Sequence, residues 1–131
     1  MNDQPLATLR AYVEAFESLD PERVAAFYHL PCMFIAPIGV TAIADAEGAR
    51  GVASALIEHA RGQGYRRTAI GRSESRMLAD NLASLSGVFV RFGSGDEEIG
   101  RFGFAYTMFD DGTGWRIVVA TAHGVAAEAG A

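Results

Sequence analysis

Phe102-Gly103-Phe104-Ala105-Tyr106-Thr107-Met108-Phe109 alternates large apolar residues with mostly smaller ones, and this period of two decides the fold. Residues two apart on a strand share a face. Phe102, Phe104, Tyr106 and Met108 therefore form one row, and Arg101, Gly103, Ala105, Thr107 and Phe109 form the other. The first row is too apolar to face water. Working outward, turn signals at Asp80-Asn81, Gly93-Ser94-Gly95-Asp96 and Asp110-Asp111-Gly112-Thr113-Gly114 divide the second half of the chain into extended segments at residues 66–78, 82–92, 99–109 and 115–123. A single sheet of strands that long must twist and curl.

The first half has a different period. Leu6, Leu9, Tyr12, Val13, Phe16 and Leu19 recur at three and four, with Arg10, Glu14 and Glu17 opposite, which predicts an amphipathic helix. Asp20-Pro21-Glu22 supplies a cap oxygen, a first-turn proline and a dipole-favoured acid. A second short helix starts there, carrying Val24, Phe27 and Tyr28 inward until Pro31 ends it. Leu30 is pushed extended by that proline, and Cys32-Met33-Phe34-Ile35-Ala36 follows as a strand. A third helix is set by Ala53, Leu56, Ile57 and Ala60 and stopped by Gly62-Gln63-Gly64. Helices first and antiparallel strands last is the α+β pattern.

Composition removes several function classes. The 131 residues carry eleven Arg, no Lys and sixteen acids, for a net charge of −5. That balance opposes nucleic acid and anionic lipid as partners. Without Lys there is no amine nucleophile, no Schiff base and no P-loop lysine. The single cysteine, Cys32, cannot close an intrachain disulfide, and it reads as a small buried hydrophobe. No basic leader or long apolar run occurs, so the expected location is cytoplasmic, with no membrane partner. His29, His59 and His123 are too scattered for a local metal motif, and Asp110-Asp111-Gly112 lacks the later ligands of a calcium loop. The expectation is no metal and no cofactor.

The order of helix, short helix, strand, helix and long-stranded meander resembles the NTF2-like or SnoaL-like superfamily. The likeness spans nearly the whole chain. It implies one domain over residues 1–131, with a loose tail at 125–131. It further implies a cystatin-like cone: N-terminal helices packed on a strongly curved antiparallel sheet, around a pocket. Tyr12-Val13, Asp20, Ala26-Phe27 and Pro37-Ile38-Gly39 fall at the spacing of the ketosteroid isomerase branch. Tyr12 then matches that family's oxyanion-holding tyrosine. The general-base aspartate position is Ala36, however, and the protonated aspartate position is Ala105. An isomerase of that kind needs both carboxyl groups, so that activity is rejected. A tighter likeness is to an uncharacterised bacterial NTF2-like group, through Phe-Tyr-His-x-Pro-Cys-x-Phe-Ile-x-Pro at residues 27–37 and Phe-Gly-x-x-Tyr at residues 102–106.

If Ala105 faces the pocket as the resemblance implies, Thr107 shares its side, and Ile117, Val119, Thr121 and His123 point inward on the last strand. The expected ligand site is then Tyr12, Phe16, Tyr28, Phe34, Thr107, Thr121 and His123. His123 is the candidate proton shuttle and Tyr12 the candidate hydrogen-bond donor. Their bland alternatives are a histidine held by a loop carbonyl and a core tyrosine with a satisfied tip. The Arg residues between Arg61 and Arg76 read as an anion strip or as a protected strand edge. The absence of an inward acid favours a binding protein for a small hydrophobic molecule. The alternatives are an isomerase, dehydratase or cyclase using His123 and Tyr12, and a non-catalytic dimeric interaction domain. The same face assignment leaves Phe102, Phe104, Tyr106 and Met108 outward, where a homodimer through the outer sheet face would cover them with roughly 1,200–2,000 Å² of interface.

Overall fold

The computed structural model describes residues 3–124. The tail expected at 125–131 lies outside the described residues. Three aspartates start the three helices by accepting a backbone N–H from the first turn. Asp3 caps α1 (Gln4–Glu17) through Leu6 N at 3.0 Å, Asp20 caps α2 (Pro21–Ala25) through Glu22 N at 3.0 Å, and Asp45 caps α3 (Ala46–Gly62) through Gly48 N at 2.8 Å. The strands are β1 (Tyr28–Ala36), β2 (Gly39–Ile43), β3 (Tyr65–Ala79), β4 (Leu82–Gly93), β5 (Glu98–Asp110) and β6 (Trp115–His123).

They form one curved, unclosed sheet in the order β2-β1-β6-β5-β4-β3. All pairs are antiparallel except β1 with β6, which is parallel. The sheet is antiparallel as expected, apart from that one pair. The chain enters β1 after both opening helices and pairs with a strand from the far end of the sequence. α2 is also shorter than its apolar spacing suggested, because Tyr28 already pairs with Ile117 as strand. Pro31 has no N–H to give, and the β1–β6 register shifts between Tyr28 and Met33. β2 was not expected from the sequence at all. Its short run Val40-Thr41-Ala42-Ile43 is β-prone, but it is exposed along most of its length and carries no clear alternation.

The helices cover the concave face. Leu9, Tyr12 and Phe16 of α1 and Ala53, Ile57 and Ala60 of α3 are buried there against β4 and β5 residues in one core. Phe104, Tyr106 and Met108 are buried in that same core, and Phe104 is 0% exposed. The face assignment carried over from the resemblance is therefore inverted on β5. Ala105 is exposed and Thr107 faces out with it. A one-residue offset moves every side chain to the other face. On β6, Ile117 faces in opposite Met108, but the next register pair is Val119 with Thr107. Val118 is the extra residue of a bulge, and a bulge reverses the alternation beyond it. Val119, Thr121 and His123 therefore point outward, while Ala120 and Ala122 pair with the inward Tyr106 and Phe104.

Candidate functional site

Tyr12 and Phe16 lie one turn apart on α1 and so project from the same side. They meet Phe34 and Ala36 of β1, Phe89 and Arg91 of β4, Phe102 and Tyr106 of β5 and Leu56 of α3 around a cavity of about 580 Å³. Ile38, His59 and Gln63, all exposed, also line it. No Asp or Glu among the described residues lines this space. The volume falls within the range of small-molecule sites, roughly 300–1,000 Å³.

Two polar features set the chemistry of the mainly apolar wall. One is a tyrosine cluster: the Tyr12 and Tyr28 hydroxyls hydrogen-bond at 2.8 Å, and the Tyr106 ring stands edge-on to Tyr12 at 6.2 Å. Burial, and then the neighbouring Tyr28, hold the Tyr12 pKa well above the usual phenol value. Burial also raises Tyr28 and Tyr106. Their hydroxyls stay neutral near pH 7 and act as hydrogen-bonding groups rather than phenolates.

The other feature is Arg91. Its guanidinium carbon lies 5.0 Å from the Phe16 ring centroid, 4.9 Å from that of Phe102 and 5.4 Å from that of Tyr65. Its Nε is buried and has no hydrogen-bond partner among the described residues. Burial pulls its pKa down, opposed by Tyr65, Tyr12 and Tyr106. A guanidinium nevertheless keeps its proton in proteins. Nearby, Glu17 is occupied in accepting the Thr68 N–H at 2.9 Å, and Tyr65 and Thr68 share a hydroxyl bond of 2.6 Å.

The seven residues expected at the site divide into two groups. Tyr12, Phe16 and Phe34 line the cavity, and Tyr28 sits behind Tyr12. Thr107, Thr121 and His123 do not join them. The His123 ring lies over Gly103 on the outer face, where a Cβ at residue 103 would collide with it, and His123 Nδ1 is 2.8 Å from the Gly124 carbonyl. His123 and Tyr12 are on opposite sides of the sheet, so the enzyme reading that paired them has no shared site. Cys32 is buried and its thiol is pushed up to about 11 by burial, which keeps it protonated. Arg91 was missed. The signal was present, since Arg91 is in phase with Phe89 and therefore belongs to a buried row. No group of three or more metal-ligating side chains gathers among the described residues. No helix there is long and apolar enough to cross a membrane.

Comparison with known proteins agrees with this architecture. The family described as NTF2-like protein (DUF6841) matches residues 5–125. An NTF2-like protein with a cystatin-like fold from Novosphingobium aromaticivorans superposes with a TM-score of 0.75 at 14% identity, covering 97% of this chain and 84% of its own. A cystatin-like protein of unknown function from Nostoc punctiforme gives 0.75 at 9% identity, with 95% and 90% covered. An NTF2-like protein of unknown function from Shewanella oneidensis gives 0.74 at 14% identity, with 92% and 97% covered. At such identities the likeness is one of fold. No curated protein matches the sequence.

Proposed function

The chain belongs to the NTF2-like family DUF6841, and from that premise we propose that its cavity binds a small hydrophobic molecule without converting it. One observation carries this reading: a roomy space walled by aromatic rings, with a few polar groups and no acid among the described residues. Ala36 supports the non-catalytic half, because it lines the cavity where the resemblance would put a general base. The neutral fluorophore 1-aminoanthracene tests the proposal. Its emission should rise on binding, and Ala36→Trp, which fills the space, should weaken that binding by about tenfold or more, since overpacking costs of order 1–3 kcal/mol. No enhancement, or an affinity untouched by Ala36→Trp, overturns the reading.

A second copy is proposed as the partner of the outer face, on different residues from those expected. Met33 is 37% exposed and Val40 65%. Met33 pairs with Val119 and Ile35 with Val40, so these side chains share one convex surface that no helix among the described residues covers. Pairing about a two-fold axis would bury this strip. Light scattering at micromolar concentration should give twice the chain mass, and Val119→Glu should return it to one. A wild-type protein that is monomeric throughout excludes the dimer.

A further inference from the structure

We infer that the molecule held in the cavity is a carboxylic acid with an apolar body, its carboxylate seated on Arg91. The inference rests on the binding reading above and names its ligand class. Arg91 is a cation in a wall built mainly of aromatic and aliphatic side chains, and no carboxylate among the described residues pairs with it. The rings of Phe16, Tyr65 and Phe102 stack around the guanidinium. Such contacts offset part of the cost of burying a charge, but they accept no hydrogen bond in the plane of the fork. Nε in particular is hidden from water and unpartnered, a condition that native proteins seldom leave unmet.

A ligand carboxylate would supply the counter-charge that the guanidinium lacks. With Nε sealed off, a ligand in the cavity meets the terminal nitrogens of the guanidinium, whose N–H groups match the two oxygens of a carboxylate end-on. A phosphate dianion fits less well: it brings more charge and more acceptor oxygens than one guanidinium serves. Arg101, the other cation at the cavity wall, is already engaged with Glu98 at 2.7 Å. The net charge of −5 also disfavours a multiply charged anion. The aromatic walls at Phe34, Phe89 and Phe102 would receive the apolar body.

The test compares 4-phenylbutanoate with its neutral amide, 4-phenylbutanamide, both titrated into the full chain at neutral pH by displacement of 1-aminoanthracene. The acid should bind about tenfold or more tightly than the amide, the scale of a charge-assisted pair over a neutral one. In Arg91→Met the ratio should fall to about one. Equal affinities in the wild-type protein, or a preference that survives Arg91→Met, overturn the inference while leaving the apolar binding site intact. If the dye itself does not bind, the binding reading falls first. The wild-type ratio needs no variant, so it decides even if Arg91→Met does not fold.

Discussion

Phe104→Ala should cost the fold about 3–5 kcal/mol, the usual range for emptying a buried phenylalanine site, while Ala105→Ser should change stability by less than about 0.5 kcal/mol. Phe104 is fully buried, stacked on Phe89 with centroids 4.3 Å apart and tilted against Tyr106 at 5.1 Å. The site is also hemmed in from behind: Gly87, its register partner, approaches the Arg72 carbonyl so closely that a Cβ there would collide, and that same Cβ would lie 3.0 Å from the Phe104 ring. A loss of this size is a large part of the 5–15 kcal/mol that holds a typical domain together. Urea unfolding should show a much lower midpoint for Phe104→Ala at an unchanged slope. The opposite ranking of the two variants would mean that the other row of β5 faces the helices. The same placement predicts that Tyr106→Glu damages folding itself rather than subunit association.

Raising the pH past about 10 should unfold the protein cooperatively, because the buried tyrosines hold their protons more tightly than the unfolded chain does. Burial raises Tyr12, Tyr28 and Tyr106. Below the ordinary phenol pKa both states are protonated and the pH has no leverage through these groups. Above it the unfolded chain releases protons while the folded one keeps them, so each tyrosine removes about 1.4 kcal/mol per pH unit. The three together remove about 4 kcal/mol per unit, until the pH reaches their folded pKa values. Tyr65 is raised by burial as well, so all four tyrosines of the chain are shifted. Phenolate absorbance should stay low through pH 10 and then rise together with loss of near-ultraviolet circular dichroism. A gradual phenolate titration near pH 10 with the fold intact would contradict the tyrosine cluster.

The elements with a strong period were legible in the sequence. The apolar spacing from Leu6 to Phe16 predicts α1, the turn signals predict the four long strands, and their order carries the family likeness. Three things were not legible, each for a physical reason. β2 is mostly exposed, so its residues show no buried row to read. The inward face of β5 rests, in the sequence, on one matched position, Ala105, and alternation turns a one-residue offset into a complete reversal. Left to its own chemistry, the row Phe102, Phe104, Tyr106 and Met108 pointed the right way: rows that apolar belong in a core. On β6 even the correct face at Ile117 did not carry to His123, because the bulge between them leaves no mark in composition. Of the candidate site, the aromatic part on α1 and β1 was legible from helical and strand spacing. Arg91 carries only the weak signal of its phase with Phe89, and a charged residue on a strand is ordinarily solvated.

The most direct measurement is the nuclear magnetic resonance spectrum of the arginine guanidinium N–H groups during titration with 4-phenylbutanoate. The signal that disappears in Arg91→Met identifies Arg91. This signal should move downfield and saturate with the acid, while 4-phenylbutanamide should move it little. An Arg91 signal that stays in place at acid concentrations sufficient to displace 1-aminoanthracene would contradict a carboxylate seated on Arg91.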